Sequence, residues 1–98
     1  MDKERVIATL RSHEGELRAA GVVHLALFGS VARGQANRKS DVDAMAEFDT
    51  SKQYSILDRV HLQNRLADIL GVSVDLTRVR TLKDDIRERA TQETVVAF

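Results

Sequence analysis

Three aspartates and one glycine–serine step are the residues of this 98-residue chain whose types and spacing could do chemistry. Asp41 and Asp43 stand two apart in the run Ser40-Asp-Val-Asp43, where apolar residues alternate with acids. Val42, Ala44, Ala46 and Phe48 fall on one parity, and Asp41, Asp43, Met45 and Glu47 on the other. Such alternation marks a half-buried strand, so residues 41–48 are predicted to form one with an apolar face and a largely acidic face. On that strand the Cα atoms of Asp41 and Asp43 lie roughly 6.5–7 Å apart, and their carboxylates can converge on one ion. Without a counter-ion they would repel each other. Magnesium removes the repulsion: it takes oxygen ligands, uses one or two carboxylates and completes its shell with water and phosphate. Asp75 lies in Val72-Ser-Val-Asp-Leu-Thr77, predicted as another strand, with Val72, Val74 and Leu76 on one face and Ser73, Asp75 and Thr77 on the other. If the two strands are neighbours, three carboxylates share a face. They could then hold two magnesium ions about 3.5–4 Å apart, the clamp used for in-line phosphoryl displacement.

The glycine–serine step supplies a complementary half. Gly29-Ser30 follows the apolar run Val22-Val-His-Leu-Ala-Leu-Phe28, which is too short for an independent helix and reads as a strand buried on both faces. A turn of small residues there exposes backbone N–H groups to a phosphate and lets it approach closely. The Ser30 hydroxyl adds a donor. Arg33 could neutralise charge nearby or brace the loop against a carboxylate, and Ser40, opening the Ser-Asp-x-Asp run, is a further candidate at the nucleotide.

Around these residues the chain reads helix, strand, turn, strand, helix, strand, helix. Residues 2–20 are predicted helical from Val6, Ile7, Leu10 and Leu17, with Gly21 as the C-terminal cap. Asp49, Thr50 and Ser51 offer N-caps for a helix over 52–70, whose expected buried stripe is Ile56, Leu57, Val60, Ala67 and Leu70, with Gly71 closing it. Thr81 and Asp84 resemble a capping box opening a last helix lined by Leu82, Ile86 and Ala90. The expected fold class is α/β (α+β): a small mixed sheet of three or four strands, helices on one face, and the other face open and carrying the three aspartates. Residues 1–98 are expected to be a single domain.

Composition narrows the function. Fifteen basic and fifteen acidic residues cancel, and aromatics are 4%. A dedicated nucleic-acid binder would carry a basic excess and stacking rings, so no direct nucleic-acid partner is expected. Cysteine is absent, which excludes disulfides and thiolate zinc sites. No apolar run of about 18 residues and no signal-peptide core is present, so a membrane is not expected and a cytoplasmic location is. His13, His24 and His61 lack ligand spacing; the first and last are expected on helix surfaces and His24 at the sheet edge. The run Lys83–Arg89 reads as a solvated helix face or part of a partner interface, and Tyr54 has no required role. A small core tends to lean on a partner subunit, and the apolar end Val95-Val-Ala-Phe98 is a candidate surface for homo-oligomer contact.

The segment Gly29-Ser-Val-Ala-Arg-Gly-Gln-Ala-Asn-Arg-Lys-Ser-Asp-Val-Asp43 resembles the signature of the nucleotidyltransferase superfamily that includes DNA polymerase β. With the short length, the later Val72-Ser-Val-Asp-Leu76 is similar to its smallest branch, the minimal nucleotidyltransferases, often antitoxins encoded beside HEPN-domain toxins. The resemblance covers nearly the whole chain. It implies the polymerase β-like fold, Gly29 and Ser30 on the triphosphate, Asp41 and Asp43 on the metal ions, and Asp75 as the third carboxylate, which also helps deprotonate the attacking hydroxyl. It further implies transfer of AMP from ATP, with two Mg2+ ions, to a tyrosine of the partner toxin. The alternatives are neutralisation of the toxin by binding alone, or adenylylation of a small molecule such as an antibiotic, for which the chain has no drug-holding domain. One departure is that Ala44, Met45 and Ala46 stand where the family pattern has bulky aliphatics.

Overall fold

The computed structural model of the chain describes residues 3–32, 42–49, 51, 55–84 and 94–98. Their elements are α1 (Lys3–Ser12), α2 (Glu14–Ala19), β1 (Val22–Phe28), α3 (Gly29–Ala32), β2 (Val42–Phe48), α4 (Ile56–Leu70), β3 (Val74–Val79) and β4 (Thr94–Val96). The four strands form one mixed sheet in the order β3-β2-β1-β4. β1 runs antiparallel to both β2 and β4, while β2 and β3 are parallel. This is the small mixed sheet expected.

The main core lies between the sheet and the helices. Leu25 and Leu27 of β1, Val42, Ala44, Ala46 and Phe48 of β2, and Val74 and Leu76 of β3 pack there against Val6, Leu10, Leu17, Leu62, Leu66 and Leu70. Burial of each leucine contributes about 1.5–3 kcal/mol. The small residues Ala44 and Ala46 are fully enclosed, and Met45 fills the opposite face.

That opposite face is not wholly open, which corrects the sequence expectation. Ala26, Met45, Val79 and Leu82 form a second buried cluster with Phe28 against it. The chain leaves β3 and crosses to this side, where residues 82–84 are helical. The Leu82 N–H donates to Glu47 Oε1 at 2.8 Å, a carboxylate at the helix start, and the Thr81 hydroxyl donates to Asp84 at 2.8 Å. Ile86 and Ala90 lie outside the described residues.

Other boundaries also moved. The first helix is broken at His13, whose backbone (φ −106, ψ 12) leaves helical geometry and whose N–H bonds back only three residues, to Leu10. Its ring Nδ1 lies 2.9 Å from the Thr9 carbonyl oxygen, so His13 is a junction residue. His61 is exposed on α4, and His24 is exposed on β1, an inner strand, not at the sheet edge. The third strand begins at Val74, two residues later than predicted, and runs to Val79.

The cap of α4 is Ser55, not Asp49–Ser51. Ser55 and Asp58 form a reciprocal capping box, while Asp49 spends its carboxylate on the N–H and hydroxyl of Ser51. The helix starting at Ile56 buries Leu62, Leu66 and Leu70 and leaves Ile56 77% and Leu57 68% exposed, so these two members of the predicted stripe are not in the buried one. Ser55→Ala is expected to cost about 1 kcal/mol, read as a shift of the denaturant midpoint at constant m.

The α2 and α4 helices are tied by Arg65 to Glu16, with Nε–Oε2 at 2.5 Å. The hydrogen bond from Arg65 holds the Glu16 carboxyl below its ordinary value. Its stabilisation is therefore present above the usual glutamate range and fades as pH falls through the lowered value. The pair is on the surface and screened by salt.

The apolar C-terminal run is taken up within the chain. β4 pairs with β1, Ala97 is buried, and Leu25 bonds Ala97 and Phe98 through the backbone. Arg11 Nε donates to the Ala97 carbonyl at 2.8 Å, and Arg18 sits 5.1 Å from the centre of the Phe98 ring. Val96 stays exposed on β4, an edge strand of the sheet. No described helix is long and apolar enough to cross a membrane.

Candidate active site

The sheet register decides which polar side chains meet. In the parallel β2–β3 pair Asp43 stands directly beside Asp75. In the antiparallel β1–β2 pair Phe28 stands beside Asp43, and β4 adds Thr94 beside Phe28. Paired residues share a face, so one row crosses the sheet as Thr94, Phe28, Asp43, Asp75. The next row, Val96, Ala26, Met45, Thr77, includes members of the smaller apolar cluster. The row of acids thus opens at one end of the face while the chain around Leu82 covers the other.

Gly29 is fitted to this row. It follows Phe28 directly, opens α3, and has φ +76, a conformation that L side chains rarely adopt. A Cβ built on it would collide with Asp43 Oδ2 and stand 3.3 Å from Asp43 Cγ. The backbone at the end of β1 and the Asp43 carboxylate therefore share a space that only glycine leaves free. Asp43 is half-buried and Asp75 exposed.

The strand bearing Asp75 is held from behind. β3 is an edge strand, and Leu76, the next residue, has both outward backbone groups satisfied by α4. Its N–H donates to Gln63 Oε1 at 3.1 Å, and Arg59 donates to its carbonyl at 3.1 Å. This blocks the edge against pairing with another chain and fixes the strand.

Of the residues singled out in the sequence, the structure brings Gly29, Asp43 and Asp75 together. Ser30 is the second residue of α3, and its side chain is outside what the structure describes. Arg33, Ser40 and Asp41 lie outside the described residues altogether, as does Tyr54. Among the described residues no three metal-binding side chains converge, and Asp43 and Asp75 are the pair they contribute. An all-carboxylate donor set suits a hard cation such as magnesium. Two cavities, of about 340 and 210 Å³, share Phe48 at the far end of β2 from Asp43, five residues and roughly 17 Å along the strand. Sequence reasoning missed Phe28 and Thr94 as members of the site row. The β-branched pair Val95-Val96 after Thr94 was the available signal for a strand there.

Residues 10–97 match the nucleotidyltransferase domain family. The chain belongs to that family. This nucleotidyltransferase is 36% identical to the protein adenylyltransferase MntA of Thermococcus cleftensis over 94% of its own length and 92% of the relative's. It superposes with TM-score 0.73 and 34% identity on a solved structure provisionally assigned as a minimal nucleotidyltransferase, covering 97% of this chain and 95% of that one. The same fold recurs, with TM-score 0.61 and 20% identity over 93% of this chain and 70% of the other, in a complex of tri-AMPylated Shewanella oneidensis HEPN toxin with MNT antitoxin. The fold is thus that of the minimal, polymerase β-like nucleotidyltransferases, as the resemblance implied.

Proposed function

We propose that this nucleotidyltransferase transfers AMP from ATP to a hydroxyl of a HEPN-domain toxin, a tyrosine side chain, and so acts as the antitoxin. The observation that carries the reading is the register of Asp43 beside Asp75, with Gly29 turned against Asp43 at the end of β1. The name of the Thermococcus relative and the AMPylated toxin in the Shewanella complex support the choice of nucleotide and partner.

In this reading Gly29 and Ser30 hold the outgoing phosphates through backbone N–H groups. Arg33 and Ser40 add contacts to the nucleotide. Asp43 and Asp75, with Asp41, would hold two magnesium ions, which when bound neutralise the phosphates and draw the reacting oxygens into line. The acceptor oxygen forms a bond to the α-phosphorus, the bond from that phosphorus to the β-phosphate bridge breaks, and pyrophosphate leaves. Asp75 takes the hydroxyl proton. Its exposed position on an edge strand lets a docked protein bring its hydroxyl there.

The test uses ATP labelled at the α- or the γ-phosphate, magnesium and the HEPN partner. The α-label is expected on the partner and the γ-label in pyrophosphate. A partner silenced with neither label transferred would replace this reading with neutralisation by binding alone.

A further inference from the structure

The Thr94 hydroxyl is the one buried side-chain oxygen or nitrogen among the described residues that has no hydrogen-bond partner. An unpaired buried hydroxyl is costly, and such groups in a folded chain call for a reason. Its position suggests one. Thr94 is the β4 member of the row that continues through Phe28 to Asp43 and Asp75, and β4 packs against α3, the element that Gly29 opens. It therefore flanks the glycine–serine turn on the side away from the acids. The residue as a whole is only half-buried. One step about χ1 exchanges a threonine hydroxyl with its methyl, and because the oxygen has no partner where it sits, that step breaks no hydrogen bond.

We propose that Thr94 is a further nucleotide-binding residue, whose hydroxyl rotates out to donate to an oxygen of the outer phosphates of ATP held at the Gly29–Ser30 turn. The proposal rests on the ATP site described above. Asp43 and Asp75 serve the metal side of the triphosphate, and Thr94 the side beyond Phe28. The hydroxyl has no partner within the described chain and gains one from the ligand.

The test compares wild type, Thr94→Val and Thr94→Ser in the full chain, by calorimetric binding of Mg-ATP, Mg-pyrophosphate and AMP and by thermal melting without ligand. Thr94→Val keeps the shape and removes the hydroxyl. It is expected to weaken ATP and pyrophosphate about tenfold or more, the scale of one hydrogen bond to a charged oxygen. AMP should change less than about twofold, and the ligand-free melting temperature should hold or rise, since a methyl replaces an unpaired hydroxyl. Thr94→Ser should restore ATP binding. A lowered ligand-free melting temperature in Thr94→Val would show a structural hydroxyl and overturn the proposal. Unchanged ATP affinity, or equal weakening of ATP and AMP, would overturn it as well while leaving the ATP site standing. Wild-type protein that binds none of the three ligands would overturn the ATP site and the Thr94 role together.

Discussion

Replacing Asp43 with asparagine is expected to lower AMP transfer roughly a thousandfold while the protein stays folded. The amide keeps the shape of the carboxylate, so the close fit against Gly29 survives. What is lost is the negative charge that would hold a cation facing the phosphates, and such charge stabilisation accounts for about two to three orders of magnitude or more in rate. Asp43 stands directly beside Asp75, so the change also removes one charge of a like pair. A thermal melt of the variant is expected to show a cooperative transition, so that the loss of transfer is read on folded protein. A variant retaining a tenth of the wild-type rate would show that the Asp43 carboxylate is not a metal-holding group.

Gly29→Ala is the second large effect, and here stability and activity should fall together. At φ +76 an alanine pays about 1–2 kcal/mol in backbone strain. Its Cβ also has to displace the Asp43 carboxylate, whose Oδ2 end meets it and must turn away while the strand registers hold the Asp43 backbone in place. The combined loss is expected to be about 2–4 kcal/mol, which in a domain of this size lowers the melting temperature by roughly 10 °C or more. AMP transfer at a temperature where the variant is still folded should drop at least about tenfold, because the carboxylate is pushed from its place. An alanine variant that melts with the wild type would contradict the shared space between Gly29 and Asp43.

Much of this arrangement could be read from the residues alone. The period-two alternation of 42–48 put Asp43 on the face opposite Val42 and Ala44, and the same pattern around Asp75 put it opposite Val74 and Leu76. Those two faces are one because the strands are parallel neighbours, a relation that alternation does not specify. Burial of the aspartate face next to the site was not legible for a similar reason. Val79 and Leu82 are far in sequence from Ala26 and Met45, and only the crossing of the chain brings them together. Ile56 and Leu57 read as core because they are apolar and in phase with a helix. Ser55 and Asp58 set the start of that helix so that its first turn reaches solvent before the leucines meet the sheet. Val95 and Val96 hint at a strand, but only the β1–β4 pairing puts Thr94 beside Phe28 in the row of the acids.

The most direct measurement is the intact mass of the HEPN partner after incubation with ATP, magnesium and either wild-type protein or Asp43→Asn. The wild-type protein is expected to add whole AMP units to the partner, and the variant to add none over the same time. A partner whose mass is unchanged by the wild-type protein, yet whose toxicity is removed equally by both, would contradict the account.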